Sequence, residues 1–213
     1  RRKRMEALAE QCVTFVRERF QPELEATVAE LLGMPSAGAS WLRFEMDAVA
    51  DTPTLWFAYP SVLPEAGGYV IKQVKLEIGS LTNQRPIGRH AITPLLADVL
   101  GAIYADFSAE VVVLDLARTF WEKATILHAE FHRPPESALH SRFARHYSDF
   151  AALWRHPSRA NAMARLDLLQ DVVQHKSRFF ASSWAHYQTA VLGSFRLMPP
   201  AHRHAALRQD YQS

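Results

Sequence analysis

The chain has 213 residues, of which 48% are hydrophobic and 11% aromatic, so it can bury a substantial core and is not a disordered segment. Its 24 Lys and Arg residues against 22 Asp and Glu residues give a formal charge of +2, which excludes a general attraction to nucleic acid and leaves only local anion sites. A single cysteine excludes an internal disulfide framework, and no apolar run approaches the roughly 18 residues of a membrane span, so we expect a cytoplasmic protein without a membrane partner.

The first 33 residues carry a helical pattern of apolar side chains in two stretches. Gln21 and Pro22 interrupt the pattern, and Pro22 suits the first turn of a second helix that ends at Gly33. We therefore predict an α-hairpin with a short break. The apolar positions of the first stretch are Met5, Leu8, Ala9, Cys12, Val13, Val16 and Phe20, and those of the second are Leu24, Val28, Leu31 and Leu32.

The next segments have the patterns of β-strands. Residues 41–47 alternate between polar and apolar side chains, residues 54–59 are rich in aromatics, and turn residues separate them. We predict an antiparallel hairpin from these two strands. Residues 69–79 form the longest strand candidate, in which Lys75 and Glu77 share one face.

The middle of the chain mixes loop, helix and strand signals. Residues 80–92 are polar and predict a loop, which carries Arg85. Residues 93–104 begin with Thr-Pro, an N-cap and first-turn pair, and continue with helical spacing. The short apolar run at residues 110–114 predicts a buried strand, and Asp115 can cap the helix that follows it.

The C-terminal half predicts three helical stretches, at residues 116–131, 139–154 and 159–180. Lys123 lies in the first of these and Asp149 in the second, and the other faces of both helices are aromatic and aliphatic. The order of the elements is helices, then three strands, then a helix and a strand, then a run of helices. This order is typical of the α+β class.

Lys75 and Glu77 have a functional and a structural interpretation. At a two-residue spacing in a strand they point to the same side, about 6.5–7 Å apart along the backbone. A carboxylate there could complete a Mg²⁺ site, since Mg²⁺ is bound by one or two carboxylates together with substrate phosphates. The alternative is the polar face of an amphipathic strand.

Lys123 and Asp149 also have two interpretations each. Lys123 could hold its ammonium against a triphosphate, where a compact point charge is useful, or it is a solvent-facing lysine. Asp149 could share that site, or it could pair with Arg145 four residues earlier in an exposed ion pair worth roughly 0.3–0.5 kcal/mol. If both residues converge with Lys75 and Glu77 on one surface, the chain has a phosphate-handling site.

Two further groups invite a functional interpretation. His128 and His132 flank Glu130, but H-x-E-x-H is not the H-E-x-x-H zinc pattern, and the sequence supplies no obvious third ligand. Lys176 and Arg178 could contact phosphate or RNA, although such residues are more often the solvent-facing side of a helix.

Several segments together resemble the AbiEii/AbiGii-type toxins, a nucleotidyltransferase family of bacterial abortive-infection and toxin–antitoxin systems. The similarity covers nearly all of the chain, and the long T-F-W-E-K-A segment followed by R-H-Y-x-D is its specific part. The matching segments are F-A-Y-P-S at 57–61, V-K-L-E-I-G at 74–79, R-T-F-W-E-K-A-T-I-L-H at 118–128, S-R-F-A-R-H-Y-S-D at 141–149 and H-K-S-R-F-F at 175–180.

Three motifs of this family are present. The second motif of the family matches Lys75 and Glu77, the third matches Lys123, and the fourth matches Asp149. Many relatives have an acidic residue four positions before the lysine of the third motif, where this chain has Thr119.

The first motif of the family is missing from these residues. In such enzymes it is a Gly/Ser-rich turn followed by a D-x-D-type acidic pair that binds the metals. Glu45 and Asp47 have a comparable spacing, but they lack the turn and lie downstream of where the motif belongs, so neither is assigned that role. We therefore expect residues 1–213 to be inactive on their own, and an acidic pair encoded before Arg1 would support the enzyme.

The resemblance implies a role for each matched residue. Lys75, Lys123 and Asp149 are then the catalytic residues, and Glu77 is a metal ligand. The nucleotide is bound by Lys75, Lys123 and Arg85. The implied cofactor is Mg²⁺, the substrate is an NTP, the acceptor is tRNA or another RNA, and the further partner is a cognate antitoxin protein.

The resemblance also implies an architecture, a polymerase-β-like mixed-sheet core with an added helical region. We expect the partial α+β core at residues 1–115 and the helical region, packed on it, at residues 116–213. Two other functions stay open on the sequence. The missing acidic pair would suit a catalytically dead nucleotide- or RNA-binding module, and a helical interaction domain would leave Lys123 and Asp149 as surface charges.

Overall fold

The structure is a computed structural model that describes residues 2–36, 38–48, 50–61, 71–101 and 107–212. It combines helices with two small antiparallel sheets, in agreement with the predicted α+β class. Tertiary contacts divide the chain into two compact units, Arg1–Thr82 and Asn83–Ser213. The predicted boundary between residues 115 and 116 falls inside the second of these units.

The first unit begins with one continuous helical segment, so the predicted α-hairpin is wrong. Helix α1 (Arg2–Phe15) passes into a π-helical turn (Val16–Phe20) and then into α2 (Gln21–Leu32). Pro22 has no N–H to donate, and its ring crowds the carbonyl four residues before it. The wider turn lets the N–H of Gln21 donate to the Val16 carbonyl five residues earlier, which carries the helix past the proline.

A three-stranded antiparallel sheet completes the first unit and confirms the predicted hairpin. Its strands are β1 (Leu42–Met46), β2 (Pro53–Ala58) and β3 (Gln73–Glu77), in that spatial order. The third strand lies within the predicted range 69–79, of which residues 69 and 70 are outside the described residues. The buried residues of this core are Val16, Leu42 and Leu55.

The second unit opens with a two-stranded antiparallel sheet of β4 (Ile87–Ile92) and β5 (Ala109–Leu114). The loop predicted for residues 80–92 is therefore wrong over its second half, because those residues find pairing partners some 20 positions later that no local pattern announces. The strand predicted at 110–114 is confirmed. Its predicted burial is wrong, since Val112 is 51% exposed.

The helix predicted from residue 93 to residue 104 is wrong in its start. Thr93 and Pro94 do not cap it; the Pro94 carbonyl accepts from Ala97 in a turn, and α3 spans Ala97–Leu100. The predicted continuation through Ile103 and Tyr104 lies outside the described residues.

The helical part of the second unit follows the predictions more closely. Its longest helix, α4, spans Leu116–Phe131 as predicted, and the Asp115 carboxylate caps it by accepting from the Ala117 N–H at 2.7 Å. The predicted helix 139–154 begins five residues later, and the predicted helix 159–180 is broken at Arg165. The remaining helices are α5 (Ala144–Arg155), α6 (Arg159–Ala164), α7 (Leu166–Phe179) and α8 (His204–Gln212).

Helix α4 is the centre of the core of the second unit. Phe120 and Trp121 are buried on it, and the Trp121 indole N–H donates to the Ala162 carbonyl of α6 at 3.0 Å. Other buried members of this core are Ala117, Ala124, Leu127, Phe143, Ala144, Phe150, Ala162, Leu168, Leu169, Val172 and Leu207. Among the described residues, none of the helices is long and apolar enough to cross a membrane.

Candidate functional site

Helix α4 carries Lys123 at the edge of its buried stripe, and α5 supplies the partners of that lysine. The Lys123 ammonium donates to the Asp149 carboxylate at 2.6 Å and to Nδ1 of His146 at 3.0 Å. His146 and Asp149 are three residues apart on α5, a spacing that places both side chains on one helix face. We call Lys123, His146 and Asp149 the lysine cluster.

The ion pair of Asp149 is made with Lys123, so the predicted pair with Arg145 is wrong, and a role of Asp149 in a phosphate site stays a prediction. Within the described residues its ion pair runs across two helices to Lys123, and not along α5 to Arg145. The Lys123 side chain is only 20% exposed, so the interpretation of Lys123 as a freely solvated lysine is wrong. Two residues that lie 26 positions apart thus form one ionic site.

His146 is a member of the cluster that the sequence interpretation missed. Burial, followed by the positive charges of Lys123 and Arg145, lowers its pKa to about 4. At neutral pH the ring is therefore uncharged, and Nδ1 is free to accept from the lysine, with the ring proton on Nε2. The signal that could have found it is its spacing in R-H-Y-S-D, three residues before Asp149.

A second ion pair lies beside the cluster and links α4 to α7. Glu122 accepts from the Lys176 ammonium at 2.8 Å and from the Arg118 guanidinium at 3.2 Å. The Lys176 side chain is 12% exposed, so its interpretation as the solvent-facing side of a helix is wrong. Glu122 and Lys123 are neighbours in sequence, yet their partners lie on different helices. Glu122 binds Lys176 on α7, and Lys123 binds Asp149 on α5.

Arg85 is tied to the beginning of α4 through its backbone. The buried guanidinium of Arg118 donates to the Arg85 carbonyl at 3.0 Å, one helical turn before Glu122. The Arg85 side chain itself is exposed. Its predicted role in binding the nucleotide stays a prediction.

The first unit contains a separate ionic cluster on β3. The Lys75 ammonium donates to the Asp47 carboxylate at 2.7 Å and to the Glu77 carboxylate at 2.5 Å. Lys75 and Glu77 are on one face of the strand, as predicted, and β1 leads directly to Asp47. The hydrogen bond to Asp47, followed in size of effect by the one to Glu77, raises the pKa of Lys75. This lysine is therefore protonated at neutral pH.

Two carboxylates, those of Asp47 and Glu77, thus converge on one positive charge. This donor set fits the one or two carboxylates with which proteins bind Mg²⁺ next to substrate phosphates. It does not make a complete protein cage, because no group of three or more His, Cys, Asp or Glu side chains able to hold a metal occurs in the part of the chain that the structure describes.

The histidines of H-x-E-x-H have structural contacts. His128 is fully buried, and its Nδ1 accepts from the Arg196 N–H at 3.1 Å while Nε2 lies 3.2 Å from the His186 carbonyl. Both ring nitrogens of His128 are thereby engaged. Glu130 is held by Arg133 at 2.7 Å, whereas the Nε2 of His132 is buried without a hydrogen-bond partner in the part of the chain that the structure describes. His128 and Glu130 are thus already bound to protein groups, and among the described residues no third metal-ligating side chain joins the motif.

The predicted site residues therefore come together as two pairs. Lys75 joins Glu77 within the first unit, and Lys123 joins Asp149 within the second. A single site formed by all four residues stays a prediction.

Comparison with known proteins identifies one family. A family model described as "Nucleotidyl transferase AbiEii toxin, Type IV TA system" matches residues 1–213, the whole chain. Neither a curated protein nor a solved structure gives a significant match.

Proposed function

The chain belongs to the AbiEii family of nucleotidyl transferase toxins of type IV toxin–antitoxin systems, and we propose that the natural protein with these residues transfers a nucleotide from an NTP to an RNA acceptor, with tRNA as the first candidate. The observation that carries this proposal is the lysine cluster, in which Asp149, a motif residue, and His146, three residues before it, hold the ammonium of the motif residue Lys123 in place. A nucleotide substrate and a cognate antitoxin follow from membership of the family. We also propose a polymerase-β-like arrangement for its core.

In this proposal Lys123 binds the triphosphate. Its ammonium is a compact positive charge at the edge of a packed helix face, which suits stabilisation of negative charge in phosphoryl transfer. Asp149 and the neutral His146 accept hydrogen bonds from two of the three N–H groups of the ammonium. They thereby orient the third N–H group toward the substrate. Catalysis of this kind rests on positioning and charge neutralisation more than on covalent chemistry of the protein.

Glu77 is the proposed metal ligand, with Asp47 beside it as a second carboxylate. Bound Mg²⁺ would supply charge neutralisation at the phosphates. Lys75, which bridges the two carboxylates, keeps them close together and prevents their mutual repulsion. Lys75 and Arg85 supply further positive charge for the nucleotide.

The proposal is tested with the full natural chain that contains these residues, a labelled NTP and total tRNA. Lys123→Met and Asp149→Asn are each expected to lower the rate of transfer by roughly 10²- to 10³-fold, the usual effect of removing one electrostatic group from such a site. Asp167→Asn is the matched control, because Asp167 also pairs with a basic side chain at 2.7 Å and is exposed. The proposal is wrong if Lys123→Met transfers as fast as the unmodified chain.

The missing acidic pair leads to a second expectation. Purified residues 1–213 should show no transfer, since these residues contain two carboxylates near Lys75 but no D-x-D pair after a Gly/Ser turn. If the full natural chain binds NTP and still transfers nothing to RNA, the protein is instead a catalytically dead nucleotide-binding module.

A further inference from the structure

A cavity of about 220 Å³ lies in the second unit between α4, α5, α7 and the segment after α7. Four aromatic rings line much of it. They belong to Phe143, Phe180, Trp184 and Tyr187. Small-molecule sites usually measure about 300–1,000 Å³, so this cavity is suited to one ring system of a ligand instead of a whole nucleotide.

Basic side chains lie over two of these four rings. The Arg133 guanidinium stacks 4.5 Å from the centroid of Trp184, and the Lys176 ammonium lies 5.8 Å from that of Phe180. The carboxylate in the lining, Glu130, is already bonded to Arg133 at 2.7 Å. Aromatic faces combined with positive charge are the usual means of binding bases of nucleic acids and nucleotides without sequence preference.

The position of the cavity relates it to the lysine cluster. Ile126, in its lining, is one helical turn after Lys123 on α4, a rise of about 4.5 Å. Phe143, also in the lining, lies one turn before His146, and their ring centroids are 4.9 Å apart. Two residues of the cavity lining thus lie one helical turn from members of the lysine cluster, whose ammonium binds phosphate in the proposed function.

We propose that this cavity binds the nucleobase of the NTP. The inference rests on the proposed function, because it takes the triphosphate of the same molecule to lie at Lys123. The base inserts beside Trp184 and Phe180, and the sugar spans the single helical turn back to the lysine cluster. Tyr187 carries a hydroxyl and also lines the cavity, so a polar group is available beside the aromatic rings.

The test measures binding to the full natural chain of ATP, GTP, CTP and UTP, each separately, and of inorganic triphosphate, which has no base. Trp184→Ala should weaken binding of the preferred NTP by roughly 5- to 150-fold, the effect of losing one base-stacking ring, and leave triphosphate binding unchanged. Trp184→Phe should restore most of the affinity because it keeps a ring. Tyr211→Ala, which removes an exposed aromatic residue on α8, is the matched control and should change neither ligand.

A second variant guards against a folding defect. Phe180 is 49% exposed, so Phe180→Ala removes a lining ring with little cost to the core and should repeat the selective loss of NTP binding. The inference is overturned if the Trp184 and Phe180 variants bind NTP normally, or if they lose triphosphate and NTP binding equally. Lys123→Met separates the two proposals: it should weaken both ligands, and if it weakens neither, the proposed function fails with the inference.

Discussion

The His146 ring is kept uncharged by its surroundings, although it lies in an ionic site. Lys123, Arg145 and Lys176 oppose its protonation, Asp149 favours it, and burial is the largest effect. The result is a neutral acceptor between cations, which keeps the lysine ammonium oriented without adding a second positive charge. The same contacts make the stability of the fold sensitive to acid.

We predict that the free energy of unfolding decreases as the pH is lowered from about 6.5 to about 4. In the unfolded chain His146 takes up a proton near its ordinary pKa of 6.5, whereas in the folded protein it does so only at about 4. The contribution of His146 to the free energy of unfolding is therefore complete above pH 6.5 and is lost as the pH falls toward 4. Urea unfolding at a series of pH values measures it.

His146→Gln should flatten that pH dependence, and His202→Gln, which replaces an exposed histidine, should not. Part of the slope should survive in the His146 variant, because burial also lowers the pKa of His128 and His132. An unchanged slope in His146→Gln would show that this ring does not carry the effect.

At the scale of elements, α4 organises the second unit. One face buries Phe120 and Trp121, and the edge of that face carries Glu122 and Lys123 to partners on α7 and α5. A rotation or shift of this helix would move all of these side chains together. The start of the helix at Asp115 therefore matters to the site as well as to the fold.

We predict that Asp115→Ala lowers the free energy of unfolding by about 1 kcal/mol, within the range of about 0.5–2 kcal/mol for lost helix N-caps. The Ala117 N–H would lose its acceptor at the first turn of α4. Asp115→Asn keeps an acceptor and should cost much less. Chemical unfolding of the three proteins is the measurement; an equal loss in both variants would mean that the hydrogen bond is not the cause.

At the scale of the whole molecule, each compact unit has its own hydrophobic core. The first is built around Leu55 and Val16, and the second around Phe120 and Trp121. Cores without shared members respond separately to substitution. The two ionic clusters, one in each unit, are therefore supported by different sets of buried side chains.

We predict that substitutions in the two cores act on different units. Leu55→Ala should destabilise the first unit by about 2–5 kcal/mol and Phe120→Ala the second by about 3–5 kcal/mol, because each leaves a cavity. Hydrogen exchange resolved along the chain measures this: the Leu55 variant should lose protection in β2, and the Phe120 variant in α4. Loss of protection in both units from either substitution would show one cooperative core instead.

Local patterns in the sequence were sufficient for the elements whose stability is local. The hairpin of β1 and β2, the bounds of α4 and its cap at Asp115 follow from alternation, helical spacing and a capping residue. The motif positions of Lys75, Glu77, Lys123 and Asp149 and the family to which they belong were also readable in the sequence. All of these depend on residues that are close along the chain or on a pattern of residue types.

Tertiary structure decided what depends on distant partners. β4 exists because β5 pairs with it, and Lys176 is largely withdrawn from solvent because Glu122 faces it from another helix. Lys123 and Asp149 could be identified from the sequence by residue type. Their contact, and the third member of the lysine cluster, His146, could be found only from the packing of α4 against α5. Hydrogen bonds and ion pairs act over a few ångströms in space, so sequence separation conceals them until the chain is folded.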